Sequence, residues 1–245
     1  MPLYVYGIAR ADAEPQSPPI GLLDQPTYWL RSGSLAAIVS ACPLKTMRAE
    51  RKHIIASQRV LGALTPHSDL LPMAFGTVAE SDTALCEFLE QFQDALLAQL
   101  EKISGTIEMG LRLSLDVADP IAYLVARSPE LQAARARTFA RQRPASHDEK
   151  LRLGQLCDTH LRRFRESLAA QILAAISPCC VETTILAAHS ETEIANLAML
   201  IARDGQERFE TAVHAAAARF DDDLVFSIAG PSPPHNFVQF ESIGR

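Results

Sequence analysis

The sequence predicts an α+β protein of two domains, each a two-layer sandwich of sheet and helices, the C-terminal one ferredoxin-like with a helical insert. The first reason is length, since 245 residues exceed the usual size of a single domain. The second is the interleaving of β-branched or alternating runs with stretches of helical period. The third is order: from residue 106 the chain reads strand, helices, strand, strand, helix, strand, the βαββαβ order of a split sandwich with one crossover enlarged. The divisions expected are 1–105, 106–230 with an insert at about 119–176, and a tail from 231 to 245.

Residues 3–9 are aromatic and β-branched and predict the first strand. Pro15, Pro18, Pro19 and Pro26 make the next stretch a loop, because proline has no amide to give a ladder. Strands at 27–31 and 35–39 flank Ser32-Gly33-Ser34, a hairpin turn. From Thr46 to Leu64 the period is helical, with Ile54, Ile55, Val60, Leu61 and Leu64 as the apolar side. Residues 69–78 predict a strand interrupted by Pro72, hence at an edge or bulge. Ser81 and Asp82 open one long helix whose stripe is Leu85, Phe88, Leu89, Phe92, Leu96, Leu100 and Ile103, ended by Gly105.

In 106–115 the odd positions from Ile107 to Leu115 are apolar and the even ones are not, predicting a half-buried strand. Helices follow at 119–141 and up to about Ile176, where Pro178 closes the second. Short strands are expected near 180–188 and 193–202. Asp204 with Glu207 forms an aspartate capping box for a helix whose inner face is Phe209, Ala212, Val213, Ala216, Ala217 and Phe220. The last strand is 224–228.

Composition narrows the function. Apolar residues make up 48% and charged residues 21%, a globular balance. No run approaches the roughly 20 apolar residues that span a bilayer, and the N-terminus lacks the basic region of a secretion signal. Five scattered cysteines then predict reduced thiols in the cytosol. The net charge is −6, but residues 127–165 carry ten Arg or Lys against four acids, so that segment is +6 and the remainder −12. Such a stretch is either a solvated connector or a basic face for an acidic partner or RNA. Only Phe139 and Phe164 interleave it, which gives little to stack on bases.

The sequence predicts no catalytic, metal-binding or cofactor-binding residue. It has no G-x-S-x-G elbow, P-loop, G-x-G-x-x-G or H-E-x-x-H. Cys157, His160, Cys179 and Cys180 lack zinc-knuckle spacing, and Asp221-Asp222-Asp223 lacks the alternate spacing of a calcium loop. Glu108 and Arg112 share a strand face and are expected to be surface or edge charges; an acid/base role would need a His or a second carboxylate beside them.

The end of the chain is more informative. Gly230, Pro231, Pro233 and Pro234 predict an extended, stiff arm, followed by Phe237, Val238 and Phe240. These apolar groups either fold back on their own domain or bind a partner by strand addition or pocket insertion.

Three stretches together resemble the GvpL/GvpF family of gas vesicle proteins. They are Tyr4-Val5-Tyr6-Gly7-Ile8 with Leu35–Ser40; Leu71-Pro72-Met73-Ala74-Phe75-Gly76-Thr77, similar to an L-P-x-x-F-G-T signature; and Asn196–Ile201, Phe209 and Gly230–Val238, similar to a closing G-P-x-P-P-[aromatic]-x-F-V pattern. Ser232 and His235 depart from the bulky apolar residue and the Tyr usual there. The resemblance implies a cytoplasmic, vesicle-associated, non-enzymatic assembly protein. Its partners would be the hydrophobic gas vesicle shell subunit and other accessory proteins, and it would itself be a candidate minor shell component. The competing reading is a ferredoxin-like small-molecule-binding domain or enzyme.

Overall fold

A computed structural model describes residues 1–12, 19–43, 47–139, 144–190 and 192–239. Thr46, where the first helix was expected to begin, and Phe240 lie outside the described residues. Among these residues are nine strands and seven α-helices. The chain divides into two compact units. Unit 1 is Met1–Met109, Leu200–Gln206 and Gly230–Arg245; unit 2 is Gly110–Met199 and Glu207–Ala229. The C-terminal segment is thus counted with the N-terminal unit.

Unit 1 is built on β1 (Leu3–Arg10), which is buried along almost its whole length. It pairs antiparallel with β3 (Leu35–Ala41), and β3 with β2 (Thr27–Ser32). The β2–β3 turn places Gly33 at φ +56, a left-handed conformation that favours glycine. The expected strand over 69–78 is instead two short pairings on β1: β4 (Leu71–Pro72) opposite Gly7 and Ile8, and β5 (Val78–Ala79) opposite Leu3 and Tyr4. Between them the chain turns at Phe75-Gly76, with Thr77 N–H donating to the Ala74 carbonyl at 3.1 Å.

This sheet is covered on both faces, so the expected two-layer arrangement is corrected to helix, sheet, helix. Leu3, Val5, Ile8, Leu35, Ala37 and Val39 pack with Leu85, Leu89, Leu96 and Leu100. On the other face Tyr4, Tyr6, Ala9 and Ile38 pack with Val60, Leu61 and Leu64. The reason lies in β1, where side chains of both parities are large and apolar or aromatic and must leave water. Tyr6 can be buried because its Oη accepts from Leu22 N–H at 2.7 Å and pairs with Ser40 Oγ at 2.9 Å.

Helix α1 is Arg51–Leu64, and it buries His53, Ser57, Val60, Leu61 and Leu64. The expected apolar side is therefore rotated: Ile54 is half-buried and Ile55 is exposed. The long helix expected after Ser81 is two, α2 (Asp82–Gln91) and α3 (Gln93–Lys102), broken at Phe92 with φ −107 and ψ 15. Ser81 caps α2 through the Ala84 amide at 3.1 Å. The break keeps Leu85 and Leu89 as well as Leu96 and Leu100 buried on the same sheet.

The second sheet has the order β7-β8-β6-β9, from β6 (Thr106–Leu115), β7 (Glu182–Ile185), β8 (Glu193–Ala202) and β9 (Leu224–Ser232). Ile107, Met109, Leu111, Leu113 and Leu115 of β6 are buried, as the alternation predicts. The unit boundary falls within β6, β8 and β9. After β6 come α4 (Pro120–Arg127), α5 (Pro129–Phe139) and α6 (His147–Ile176). The single helix expected at 119–141 is divided at Ser128, because the residue before Pro129 is pushed out of the helical region. Ser146 and Glu149 form a reciprocal capping box that starts α6. Leu124, Val125, Leu131, Cys157 and Leu161 make the core of this three-helix insert. Helix α7 (Gln206–Ala217) buries Phe209, Val213 and Ala216, and Asp204 sits in the 3-10 turn before it.

Candidate partner-binding site: the C-terminal segment

Strand β9 does not stop at 228 but continues through Gly230 and Pro231 to Ser232. Gly230 adopts φ +113, and a Cβ there would lie 2.9 Å from the Glu108 carbonyl oxygen and 3.0 Å from Met109 Sδ. Only glycine lets the backbone pass this close to β6. The expected extended arm is corrected here. His235 N–H donates to the Pro233 carbonyl at 2.8 Å and Phe237 N–H to that of Pro234 at 3.3 Å, so the chain turns and directs Phe237 inward. Pro233 and Pro234 are buried, and Phe237 is only 3% exposed. Val238 packs against the cluster formed by β1, β3, α2 and α3.

A polar latch holds the turn. Glu108, expected at the surface, is buried and receives Asn236 on both carboxylate oxygens: the backbone N–H at 2.8 Å and Nδ2 at 2.6 Å. Ser232 Oγ donates to the Glu108 carbonyl at 3.3 Å, and Lys102 Nζ to the Phe237 carbonyl at 3.2 Å. Burial pushes the Glu108 carboxyl above its ordinary range, and the two bonds from Asn236 oppose that shift. A buried carboxylate with a raised pKa suggests an acid/base group, but Asn236 accounts for both of its oxygens. Nothing local in the sequence pairs Glu108 with Asn236, which is 128 positions away.

Glu108 and Arg112 do not meet. Arg112 Nε lies 3.3 Å from Glu193 Oε1 instead. Asp221 and Asp223 face Arg127 at 3.2 and 3.1 Å, and that guanidinium lies 3.8 Å from the Tyr123 ring centre. His160 Nε2 is 3.1 Å from Glu130 Oε2, while burial pushes the Cys157 thiol up. Among the described residues no three His, Cys, Asp or Glu side chains gather as a metal site, and no helix is long and apolar enough to cross a membrane.

Two further features escaped the sequence. Asp69 accepts from Ser104 Oγ and from the Gly105 amide, each at 2.9 Å, and also from Arg203. These bonds tie two segments of unit 1, Met1–Met109 and Leu200–Gln206. An apolar cavity of about 220 Å³ lies beside the Leu71–Thr77 signature, lined by Val5, Ile8, Met73, Val78, Leu85 and Phe88 among others.

The comparisons with known proteins agree along the whole chain. The family model described as gas vesicle synthesis protein GvpL/GvpF matches residues 2–239. Gas vesicle protein F of Streptomyces sp. (strain CB03234) is 29% identical over 245 residues, covering 98% of this chain and all of that one. The crystal structure of gas vesicle protein GvpF from Microcystis aeruginosa superposes with a TM-score of 0.83 at 20% identity, over 97% of this chain and 99% of that one. That of GvpF from Anabaena sp. PCC7120 gives 0.79 at 24% identity, over 97% and 96%. These likenesses show the same mixed fold. The three signature stretches fall on β1 and β3, on the β4–β5 segment, and on β8, α7 and the latched terminus. The chain belongs to the GvpL/GvpF family of gas vesicle proteins.

Proposed function

We propose that this protein is a non-enzymatic gas vesicle assembly factor that binds the hydrophobic shell subunit and other accessory proteins in the cytoplasm. On this reading it can also remain as a minor shell component. The observation that carries the reading is the family match from residue 2 to 239. The C-terminal segment is the binding element we favour: Gly230, Pro231, Pro233 and Pro234 set its path, and Phe237, Val238 and Phe240 supply apolar anchors. Its attachment in the free protein supports an exchangeable contact, because the buried Phe237 is held together with a small set of polar bonds from Asn236 and Lys102. The apolar cavity beside the signature supports a second point of contact for an aliphatic side chain.

We also read residues 106–230 as a ferredoxin-like domain with its insert at about 119–176, beside a domain of 1–105 and a tail of 231–245. The strand order β9-β6-β8-β7 is that of a split βαββαβ sandwich and supports this reading.

The test is co-purification with the shell subunit, scored together with suppression of that subunit's aggregation. Intact vesicle formation after deletion of the gene would overturn the assembly role. The binding role fails if the purified chain neither retains the subunit nor slows its precipitation.

A further inference from the structure

We propose that the three-helix insert is a docking groove for an acidic amphipathic helix of a partner protein. This rests on unit 2 and is independent of the reading of the C-terminal segment.

The groove runs between α4, α5 and α6. Its main cleft has a volume of about 510 Å³, and an adjoining one of about 250 Å³ shares Ile121, Phe139, Leu153 and Cys157 with it. The floor is apolar, and it holds Phe139 and Ile121, which are 56% and 38% exposed. Along α6 the groove is lined from Lys150 to Arg165, about 23 Å at 1.5 Å per residue. That length accommodates about four turns of a partner helix.

Charge selects the occupant. Arg135 on α5 and Lys150 on α6 line the groove and both are exposed; Arg137 and Arg152 line a separate cleft that shares only Leu153 with it. Arg165 also lines the groove while donating to the Ser190 carbonyl. Two acids, Asp119 and Asp158, line it too, against Arg135, Lys150 and Arg165; Asp119 is held by the Ile121 and Ala122 amides at the start of α4. The surrounding segment is +6 in a chain that is −12 elsewhere. An acidic helix with an apolar stripe satisfies both the floor and the rim. A second copy set groove to groove would oppose like charges, and a nucleic acid would leave the apolar floor uncovered.

The probe is a labelled peptide of about 15 residues, with Leu at helical i, i+3, i+4 spacing and Glu and Ala elsewhere, titrated into the full chain. We expect saturable binding that weakens about tenfold or more between roughly 0.1 M and 1 M salt. The same peptide with Lys for Glu should bind at least about tenfold more weakly. Two variants locate the site. Arg135→Glu with Lys150→Glu reverses the rim, and Gly154→Leu fills the cleft, since a Cβ on Gly154 meets nothing within 4 Å. Both should abolish binding while leaving the melting temperature within about 2 °C, as expected for exposed positions. Equal binding of the Lys peptide overturns the proposal, as does tighter binding of single-stranded RNA. Unchanged affinity in the rim variant overturns it as well.

Discussion

Glu108 shows how a single side chain can be read wrongly from its neighbours and rightly from its partners. On an alternating strand it occupies an even, nominally solvent-facing position, yet the returning C-terminal segment covers it and supplies two donors. Ionisation is therefore costly by burial and partly compensated by hydrogen bonding. Replacing Asn236 with Ala removes a 2.6 Å bond to a buried carboxylate, so we expect a loss of about 1–3 kcal/mol of stability in chemical denaturation. The same change should raise the Glu108 pKa further, read by NMR titration of its side-chain carboxyl, because a bond favouring the charged form is gone. The sign for stability follows from linkage. With the folded pKa above the unfolded value, the folded state holds its proton more tightly, so the contribution of Glu108 falls as pH rises from the unfolded pKa through the folded one. A Glu108 variant should lack that falling component. Gly230→Ala is expected to cost about 1–3 kcal/mol as well, since it combines φ +113 with a contact of 2.9 Å to backbone.

Among the elements, the helices are fixed locally by caps and the strands by what covers them. Ser146→Ala should cost about 1 kcal/mol and fray the start of α6, visible as faster amide exchange over its first turn, because the reciprocal cap with Glu149 is lost. That box was not expected from the sequence, whereas the opening of α2 at Ser81 was, as were the alternation of β6 and the order of strands and helices after residue 106. The other missed features depend on information that no window of sequence contains. The rotation of α1 leaves Ile55 exposed and buries His53 and Ser57, because the face is set by Tyr4 and Ser57 meeting across 53 positions, with their oxygens 3.4 Å apart. The split at Phe92 leaves the leucine stripe unchanged and so hides in the periodicity. At the C-terminus, the prolines announced a constrained path but not its direction; that depends on Glu108 and Lys102, which lie far upstream.

For the molecule as a whole, the decisive question is whether the C-terminal segment docks as one piece. Phe237 is almost wholly buried, Val238 packs against the cluster of β1, β3, α2 and α3, and the latch bonds lie within the same few residues. If the segment undocks cooperatively, truncation after Ser232 should remove all of these contacts together. We expect a loss of roughly 3 kcal/mol, or about 6–12 °C in melting temperature for a chain of this length. Asn236→Ala and Phe237→Ala combined should then cost clearly less than the sum of the single changes, because either one already releases much of the segment. Strict additivity would mean that the residues dock independently and would remove the basis for an exchangeable terminus. The link to function is read by hydrogen exchange of the Asn236 amide, protected in the free chain by its bond to Glu108. If a partner recruits Phe237 and Val238, that amide should lose protection when the shell subunit binds, while amides in the middle of β1 stay protected. Retained protection at Asn236 in the complex would show the segment to be structural, and the binding surface would have to be sought elsewhere on the chain.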